Sequence, residues 1–316
     1  MGSQNKITLR GRISNLYRNS DLGYKVLNPF YKVYEFGIKF IPDKAFIKWY
    51  FKRYMGYSID LDNPQTLNEK ITWLKLYDRT DLHTLVADKY TVRSYVAEKI
   101  GEEYLIPLLY HTKNASDLKP ENLPDSSFII KNNHDSGGYL IVKDKSVVDW
   151  PKVQKQFKRH LKENFYYATR EWQYKNIEPR IVVEELLSTE NGEIPNDYKC
   201  HCFNGKLAFV HVDIDRFGDR RRNLYDENWD LIPCVWQYEN GELEEKPKLF
   251  NKMKSLAETL AKDFIYARID FYLVKDQIYF GEISFHHHSG TQKFKTPECD
   301  LKFGKMLELT QPKTTM

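Results

Sequence analysis

The feature that most constrains this chain is a change of texture near Ser127, beyond which short apolar runs alternate with turn residues as antiparallel strands do. Ser127-Phe-Ile-Ile-Lys131 and Tyr139-Leu-Ile-Val142 flank a polar, glycine-bearing loop, 132–138. Arg180-Ile-Val-Val-Glu-Glu-Leu-Leu187 reads as a buried strand, and Asp197 to Asp213 as two strands about the turn Asn204-Gly205. The runs 267–273 and 278–285 predict a hairpin. Helices are expected elsewhere. Asn63-Pro64-Gln65-Thr66 starts one that carries Leu67, Ile71, Trp73, Leu74 and Leu76 at helical spacing. A second spans about 82–100, with Pro107 closing the region, and others cover 150–165 and 246–262. The pattern is that of an α+β protein.

At 316 residues, 41% of them hydrophobic, the chain is large enough for two or three compact units and too apolar for wholesale disorder. No stretch approaches the roughly 18 to 20 apolar residues of a membrane span. The N-terminus has no basic patch followed by an apolar run, so a cytoplasmic address is expected. The four cysteines, Cys200, Cys202, Cys234 and Cys299, form no CxxC pair and read as reduced thiols. Cys200 and Cys202 alternate along a strand, which puts both in a buried face.

Charge is unevenly spread. The net charge of +4 divides into +7 over residues 1–60 and −3 over the rest. In the basic part Phe30, Tyr31, Tyr34, Phe36, Phe40, Phe46, Trp49, Tyr50, Phe51 and Tyr54 are interleaved with Lys32, Lys39, Lys44, Lys48, Lys52 and Arg53. Such a stretch suits the headgroup region of an anionic leaflet, with rings at the interface and cations over phosphates. Packing of its aromatic face on the rest of the protein is the plainer explanation. Nucleic acid is disfavoured because the basic bias stops near residue 60. Pro42 and Gly56 are expected to break the segment into short helices.

Two places carry candidate chemistry. Lys131 presents a fixed cation at a strand end, and the loop behind it, His134-Asp-Ser-Gly-Gly138, can bring backbone N–H groups to phosphate oxygens. On the predicted hairpin, period two puts Arg268 beside Asp270 and Glu282 beside Ser284. Two carboxylates meeting there make a hard, oxygen-only site of the kind magnesium takes with bound phosphates. A cross-strand arginine–carboxylate pair on a solvated face is the alternative. After the second strand comes His286-His-His288, where one histidine is a candidate to touch an acceptor or act as base. Asp215-Arg216 and Arg220-Arg-Arg222 form a basic loop suited to an anionic sugar chain. Trp172 and Tyr174 read as core.

The sequence resembles the ATP-grasp ligases, and among them the TupA-like (teichuronopeptide biosynthesis) branch. The resemblance runs from about residue 60 to 305. It rests on the motif Asn63-Pro-Gln-Thr-Leu-Asn-Glu-Lys-Ile-Thr-Trp-Leu-Lys-Leu-Tyr-Asp-Arg79, on Asp88-Lys-Tyr90 with Arg93, and on Phe128-Ile-Ile-Lys-Asn-Asn-His-Asp-Ser-Gly-Gly138. Further runs are Arg170-Glu-Trp-Gln-Tyr174, Val183-Glu-Glu185, Asp197-Tyr-Lys199, Phe203-Asn-Gly-Lys206, Ala267-Arg-Ile-Asp-Phe271 and Gly281-Glu-Ile-Ser-Phe285. It implies two α+β lobes whose antiparallel sheets sandwich ATP. The implied organisation is a helical basic segment over 1–60, a helical substrate region over 61–125, a small lobe with a glycine lid over 126–187 and a large lobe with the magnesium site over 188–316.

Carried over by position, Lys131 contacts ATP phosphates, and Ser136, Gly137 and Gly138 form the loop that closes over them. Glu184 and Glu185 lie on the strand that holds the adenine, with Leu186 lending its N–H, while Asp197 and Lys199 stand near ribose and phosphate. Asp270 and Glu282 are the implied magnesium ligands, with Ser284 where many relatives have Asn. Arg268 is the implied cation beside the acyl group, and His286 is the candidate base from the histidine run. Apart from the resemblance, Arg216 and Arg220 of the basic loop, with His287 and Ser289 of the histidine run, are candidate substrate contacts.

The resemblance also implies a reaction in which ATP phosphorylates a carboxylate and an amine displaces the phosphate to give an amide. The branch points to a uronic acid of a cell-surface polysaccharide, such as capsule or O-antigen, joined to an amino acid or other amine. The rival is a glycosyltransferase of the same syntheses, for which Asp213-Ile-Asp215 offers a DxD pattern but which leaves Lys131 and its loop idle. A binding module without turnover is the third class.

Overall fold

A computed structural model describes residue 16 and residues 20–136, 138–215 and 218–310. The chain divides into two compact units, 1–46 and 47–316. In the first, helix α1 (Asp21–Lys39) starts where the Ser20 hydroxyl accepts the Gly23 N–H at 3.1 Å. The expected breaks at Pro42 and Gly56 are found, bounding helix α2 (Asp43–Met55). Yet α1 is not short, because its 19 residues run through Pro29. Among the described residues no helix is long and apolar enough to cross a membrane.

In the second unit, Thr66 opens helix α3 (Leu67–Tyr77) with a full capping box, in which its hydroxyl accepts the Glu69 N–H and Glu69 returns to the Thr66 N–H at 3.0 Å. The single helix expected over 82–100 is two, α4 (Asp81–Ala87) and α5 (Val92–Lys99). Asp88 takes an extended conformation there, and its carboxylate accepts the Tyr90 N–H and the Asn133 Nδ2–H, both at 2.8 Å. Side-chain bonds of this kind compete with the helical ladder. The third expected helix also stops early, as α6 (Trp150–His160) followed by the short α7 (Tyr166–Thr169).

Two antiparallel sheets follow. The smaller has the order β1-β4-β2-β3, built from β1 (Leu108–Thr112), β2 (Phe128–Asn132), β3 (Tyr139–Val142) and β4 (Ile181–Glu185). The larger has the order β10-β9-β5-β6-β7-β8. Its strands are β5 (Asp197–Phe203), β6 (Lys206–Ile214), β7 (Arg221–Tyr225), β8 (Leu231–Ile232), β9 (Tyr266–Val274) and β10 (Gln277–Ser284). Strands β1, β7 and β8 were not legible as apolar runs. The hairpins about Asn204-Gly205 and at 275–276 are as expected.

Alternation splits the larger sheet into two unlike faces. Cys200, Val210, Val212, Ile269, Phe271 and Ile283 turn into a core with helix α8 (Phe250–Ala261), which contributes Phe250, Met253, Ala257 and Leu260. Asp197, Lys199, Asp213, Arg222, Arg268 and Asp270 belong to the opposite face. A second core joins Leu67, Ile71 and Leu74 of α3 to Trp236 and to Phe303 of helix α9 (Pro297–Met306). The smaller sheet packs Phe128, Ile130, Ile181 and Val183 on Val153 and Phe157 of α6. The large apolar back face fixes the charged front face by leaving one register free of buried charge.

One sequence expectation is corrected. Cys200 and Cys202 are free and buried, but Cys234 and Cys299 form a disulfide across 65 residues. Folding carries the loop after β8 against the first turn of α9, a proximity that spacing along the chain does not encode.

Gly304 in α9 lies so close to the start of α3 that an added Cβ would meet the Gln65 carbonyl oxygen at 2.1 Å. Backbone cannot yield as a side chain does, so Gly304→Ala should cost about 3 kcal/mol, against about 1 kcal/mol for loss of the cap in Thr66→Ala. Denaturant midpoints of the two variants check this order, and equal losses contradict it.

Candidate active site

One cleft of about 370 Å³ is walled by both sheets. Ile129 and Lys131 of β2, Ile141 of β3, Glu185 of β4 and the following Leu186 and Leu187 line one side. Asp197 and Lys199 of β5, Asp213 of β6, Arg222 of β7, Arg268 and Asp270 of β9 and Glu282 of β10 line the other. Ile106, Ile129, Ile141, Leu186 and Ile194 give an apolar end suited to a flat ring. The far end is charged. The lysine of the first sheet and the acidic hairpin of the second therefore face one space.

The acidic hairpin is organised by Arg268. Its Nε and Nη2 donate to the two oxygens of Asp270, each at 2.7 Å, and Nη2 also reaches Glu282 Oε1 at 2.7 Å. Asp270 is paired with Glu282 across the hairpin, and a register shift at Gly281 sets that pairing. An added Cβ on Gly281 would press on the Asp270 carbonyl oxygen at 3.1 Å. Burial pushes the Asp270 carboxyl up to about 6 against the pull of Arg268 and Lys199. Glu282 is surrounded too, which works to raise its pKa, but Arg268, Lys89 and Lys199 outweigh this and hold it below the usual carboxylate value. Its side chain keeps 40% of its surface accessible and makes its recorded contacts through Oε1. Two carboxylates, one of them open to the cleft, form an oxygen donor set that fits magnesium.

Beyond it lies a cationic row. Asp213 is gripped by Arg222 Nε at 2.9 Å and Arg220 Nη2 at 2.5 Å, with Lys199 Nζ at 3.8 Å. Lys199 itself donates to Asp197 at 2.5 Å. Lys89, from the break between α4 and α5, reaches the Asp135 carbonyl oxygen at 2.5 Å in the loop after β2. This brings a second lysine to the cleft beside Lys131.

Several sequence expectations need revision. Lys131, Ser136, Gly138, Glu185, Asp197, Lys199, Arg220, Arg268, Asp270, Glu282 and His287 all line the cleft. Gly137 and Arg216 lie outside the described residues. Glu184 was expected at the adenine, but its carboxylate holds Lys131 Nζ at 2.7 Å and Arg93 Nη1 at 3.6 Å. The Leu186 N–H is taken by the Ser127 carbonyl at 3.3 Å, so this residue offers the cleft its side chain. The Ser284 hydroxyl donates to Glu282 Oε1 at 3.3 Å, supporting that carboxylate instead of standing as a third ligand.

His286 is the main correction. It is buried away from the cleft, whereas His287 and His288 line it. Left-handed backbone at His288 and Ser289 turns the chain there. Ser289 faces a second cavity, and Lys75 of α3 clamps it from behind, donating to its carbonyl at 2.9 Å and its hydroxyl at 3.0 Å. Since an arginine only donates, His287 Nδ1 accepts from Arg268 Nη1 at 2.8 Å, so Nε2 carries the hydrogen given to Gln292 at 2.6 Å. His201, His211 and His287 gather their nitrogens within 4.8 Å. Arg268 and Arg222 flank them, Tyr266 hydrogen-bonds His201, His201 meets His211 at 3.4 Å, and burial keeps the three rings neutral.

Sequence reasoning missed the role of Lys89, and it expected Arg222 on a basic loop, whereas Arg222 lies on a strand and holds Asp213. Lys89 sits in the Asp88-Lys-Tyr90 run, where helical periodicity hid the break. Arg222 lies on β7, whose Arg-Arg-Asn opening is too polar to read as a strand.

The profile of the TupA-like ATP-grasp family matches residues 69–308, and the chain belongs to that family. No curated protein matches it. Similar solved structures include the D-alanine–D-alanine ligase of Bacillus anthracis complexed with ATP, at 17% identity and a TM-score of 0.38 over 64% of this chain and 55% of that one. The L-amino acid ligase of Bacillus licheniformis is 14% identical at a TM-score of 0.42, over 67% and 45%. The ATP-grasp ligase PsnB complexed with its minimal precursor is 10% identical at 0.39, over 72% and 61%. The chain thus spans little more than half the length of the first of these ligases.

Burial holds His201, His211, His286 and His287 well below the ordinary imidazole pKa and takes His288 down to about 4. Below about pH 6.5 the unfolded chain binds protons that these folded rings refuse, so their contribution is complete above that pH and is lost as pH falls. Asp270 and Glu171, both raised by burial, act in the opposite sense. With His111 and His134 lowered in the same way, the depressed imidazoles outnumber the raised carboxyls, Glu244 and Asp300 included, and the melting temperature should drop between pH 7 and pH 5. Thermal melts across that range check the sign, and a rise on acidification contradicts it.

Proposed function

We propose that this chain is an ATP- and magnesium-dependent carboxylate–amine ligase that forms an amide through an acyl phosphate. The observation that carries the reading is the single cleft in which Lys131 and the Arg268–Asp270–Glu282 hairpin converge. The apolar slot takes the adenine. Lys131, held by Glu184, and Lys89 offset the charge of the phosphates. Asp270 and Glu282 would hold magnesium, which would supply positive charge against that of the phosphates.

An acceptor carboxylate oxygen bonds to the γ-phosphorus as the bond to ADP breaks, giving an acyl phosphate and ADP. The amine then bonds to the acyl carbon, phosphate leaves, and the surplus proton passes to a base or to water. Arg268 is placed to stabilise the oxyanion of the tetrahedral stage. His288 lines both the cleft and its neighbouring cavity as a neutral imidazole, and it takes the role first expected of His286.

The acceptor is a uronic-acid unit of a cell-surface polysaccharide, and the amine is an amino acid or a related compound. A second cavity of about 570 Å³ supports this, since it shares Ser136 and His288 with the cleft and so adjoins the lid loop. Its wall carries Tyr50 and Tyr54, with ring centroids 4.5 Å apart, and Lys293. Tyrosine faces suit the C–H side of a sugar ring, and an ammonium suits its carboxylate. A need for ATP suits the cytoplasm. The glycosyltransferase reading is disfavoured because it leaves Lys131, which Glu184 holds at the cleft, without a role.

Incubation with ATP, magnesium, uronic-acid glycans and amines should release ADP and phosphate only when both acceptors are present. Sugar-nucleotide cleavage without ATP use would favour the transferase. Glu282→Gln should reduce turnover by about a hundredfold or more with little loss of stability. Asp270→Asn should abolish turnover and also destabilise the fold by about 3 kcal/mol, because it strips Arg268 of its bidentate partner. Lys131→Ala should weaken nucleotide binding about tenfold or more, read by titration calorimetry. Full activity in both carboxylate variants would remove the metal site.

A further inference from the structure

Helix α1 is apolar on two sides, and only one of them is used in packing. Gly23 and Ile38 are buried and Leu27 is half-buried. On another side Leu22, Val26, Phe30, Val33, Phe36 and Phe40 recur at intervals of three and four, and each is more than half exposed. Six large side chains in one row make a surface that a protein in water does not keep bare without a partner. Lys25, Lys32 and Lys39, spaced by seven and exposed, form a second row about 100° round the helix from the first.

We propose that α1 lies in the headgroup region of an anionic membrane surface, its Leu22–Phe40 row facing the acyl chains and its lysine row the phosphates. The interface offers apolar depth beside negative charge, so it suits the apolar row and the basic row together. A second copy of the chain answers only the first row. Residues 1–60 hold eleven Lys and Arg against four Asp and Glu. A dimer through this face would therefore bring like charges together with no acidic row to meet them. Membrane contact of this kind does not depend on the ligase reading, although it suits an enzyme whose acceptor is lipid-linked.

Flotation of the full chain with vesicles of phosphatidylglycerol and phosphatidylcholine, and with phosphatidylcholine alone, tests the assignment. The chain should float with the anionic vesicles at low salt and lose most binding at high salt. The triple variant Phe30→Ser, Val33→Ser, Phe36→Ser should reduce the bound fraction about tenfold. The triple variant Lys25→Glu, Lys32→Glu, Lys39→Glu should remove the preference for anionic vesicles while leaving nucleotide binding and circular dichroism unchanged. Failure of the wild-type chain to float overturns the assignment, and so does flotation that neither variant alters. A dimer seen by light scattering and broken by the serine variant would show that a second copy covers the face, and would also overturn it.

Discussion

Arg268 is the group on which the front of the larger sheet depends. Two carboxylates brought together in a protected cleft repel each other, and each loses the water that would stabilise its charge. A guanidinium bonded to both oxygens of Asp270 and to Glu282 offsets both effects. Its remaining nitrogen fixes the His287 tautomer, which in turn orients Gln292. The same cation thus assembles the acidic pair and ties it to the histidine turn. Preassembly of this kind spares the site reorganisation when substrate arrives.

Around that centre the molecule repeats one device, a cation whose position is set by a neighbouring carboxylate. Glu184 holds Lys131, Asp197 holds Lys199, and Asp213 holds Arg220 and Arg222. Each carboxylate lowers the cost of keeping a positive side chain at the cleft before an anion binds. Lys75, fully buried beneath the histidine turn, extends the device to the backbone of Ser289. Burial lowers its pKa while the nearby Glu171 charge opposes that shift. The histidine turn is therefore tied to α3, whose motif lies more than 200 residues before the turn it supports.

Much of this was legible in the residues alone. The hairpin 267–285 announced Asp270 and Glu282 as neighbours because alternation and a short turn leave few other registers. The apolar run ending in Lys131 announced a strand-end cation for the same reason. Legibility failed where local signals were polar or periodic in the wrong way. Strand β7 opens with two arginines, so neither it nor the place of Arg222 could be seen. The helix expected over 82–100 conceals Lys89, because only the distant Asn133 shows why Asp88 leaves the helical path. Likewise, Glu184 and Glu185 look equivalent on paper, and the pleat decides that one holds a lysine while the other faces the cleft.

By itself the sequence determined the alternation that divides the larger sheet into an apolar and a charged face, the capping signal that begins α3, and the chemical character of each cluster. These are local properties, set by period, turn residues and side-chain type. Tertiary structure alone decided that the lysine of one sheet and the carboxylates of the other share a cleft, that Cys234 meets Cys299, and that His288 instead of His286 lines that cleft. Each depends on segments far apart in the chain being brought together, and a linear pattern carries no distance between them.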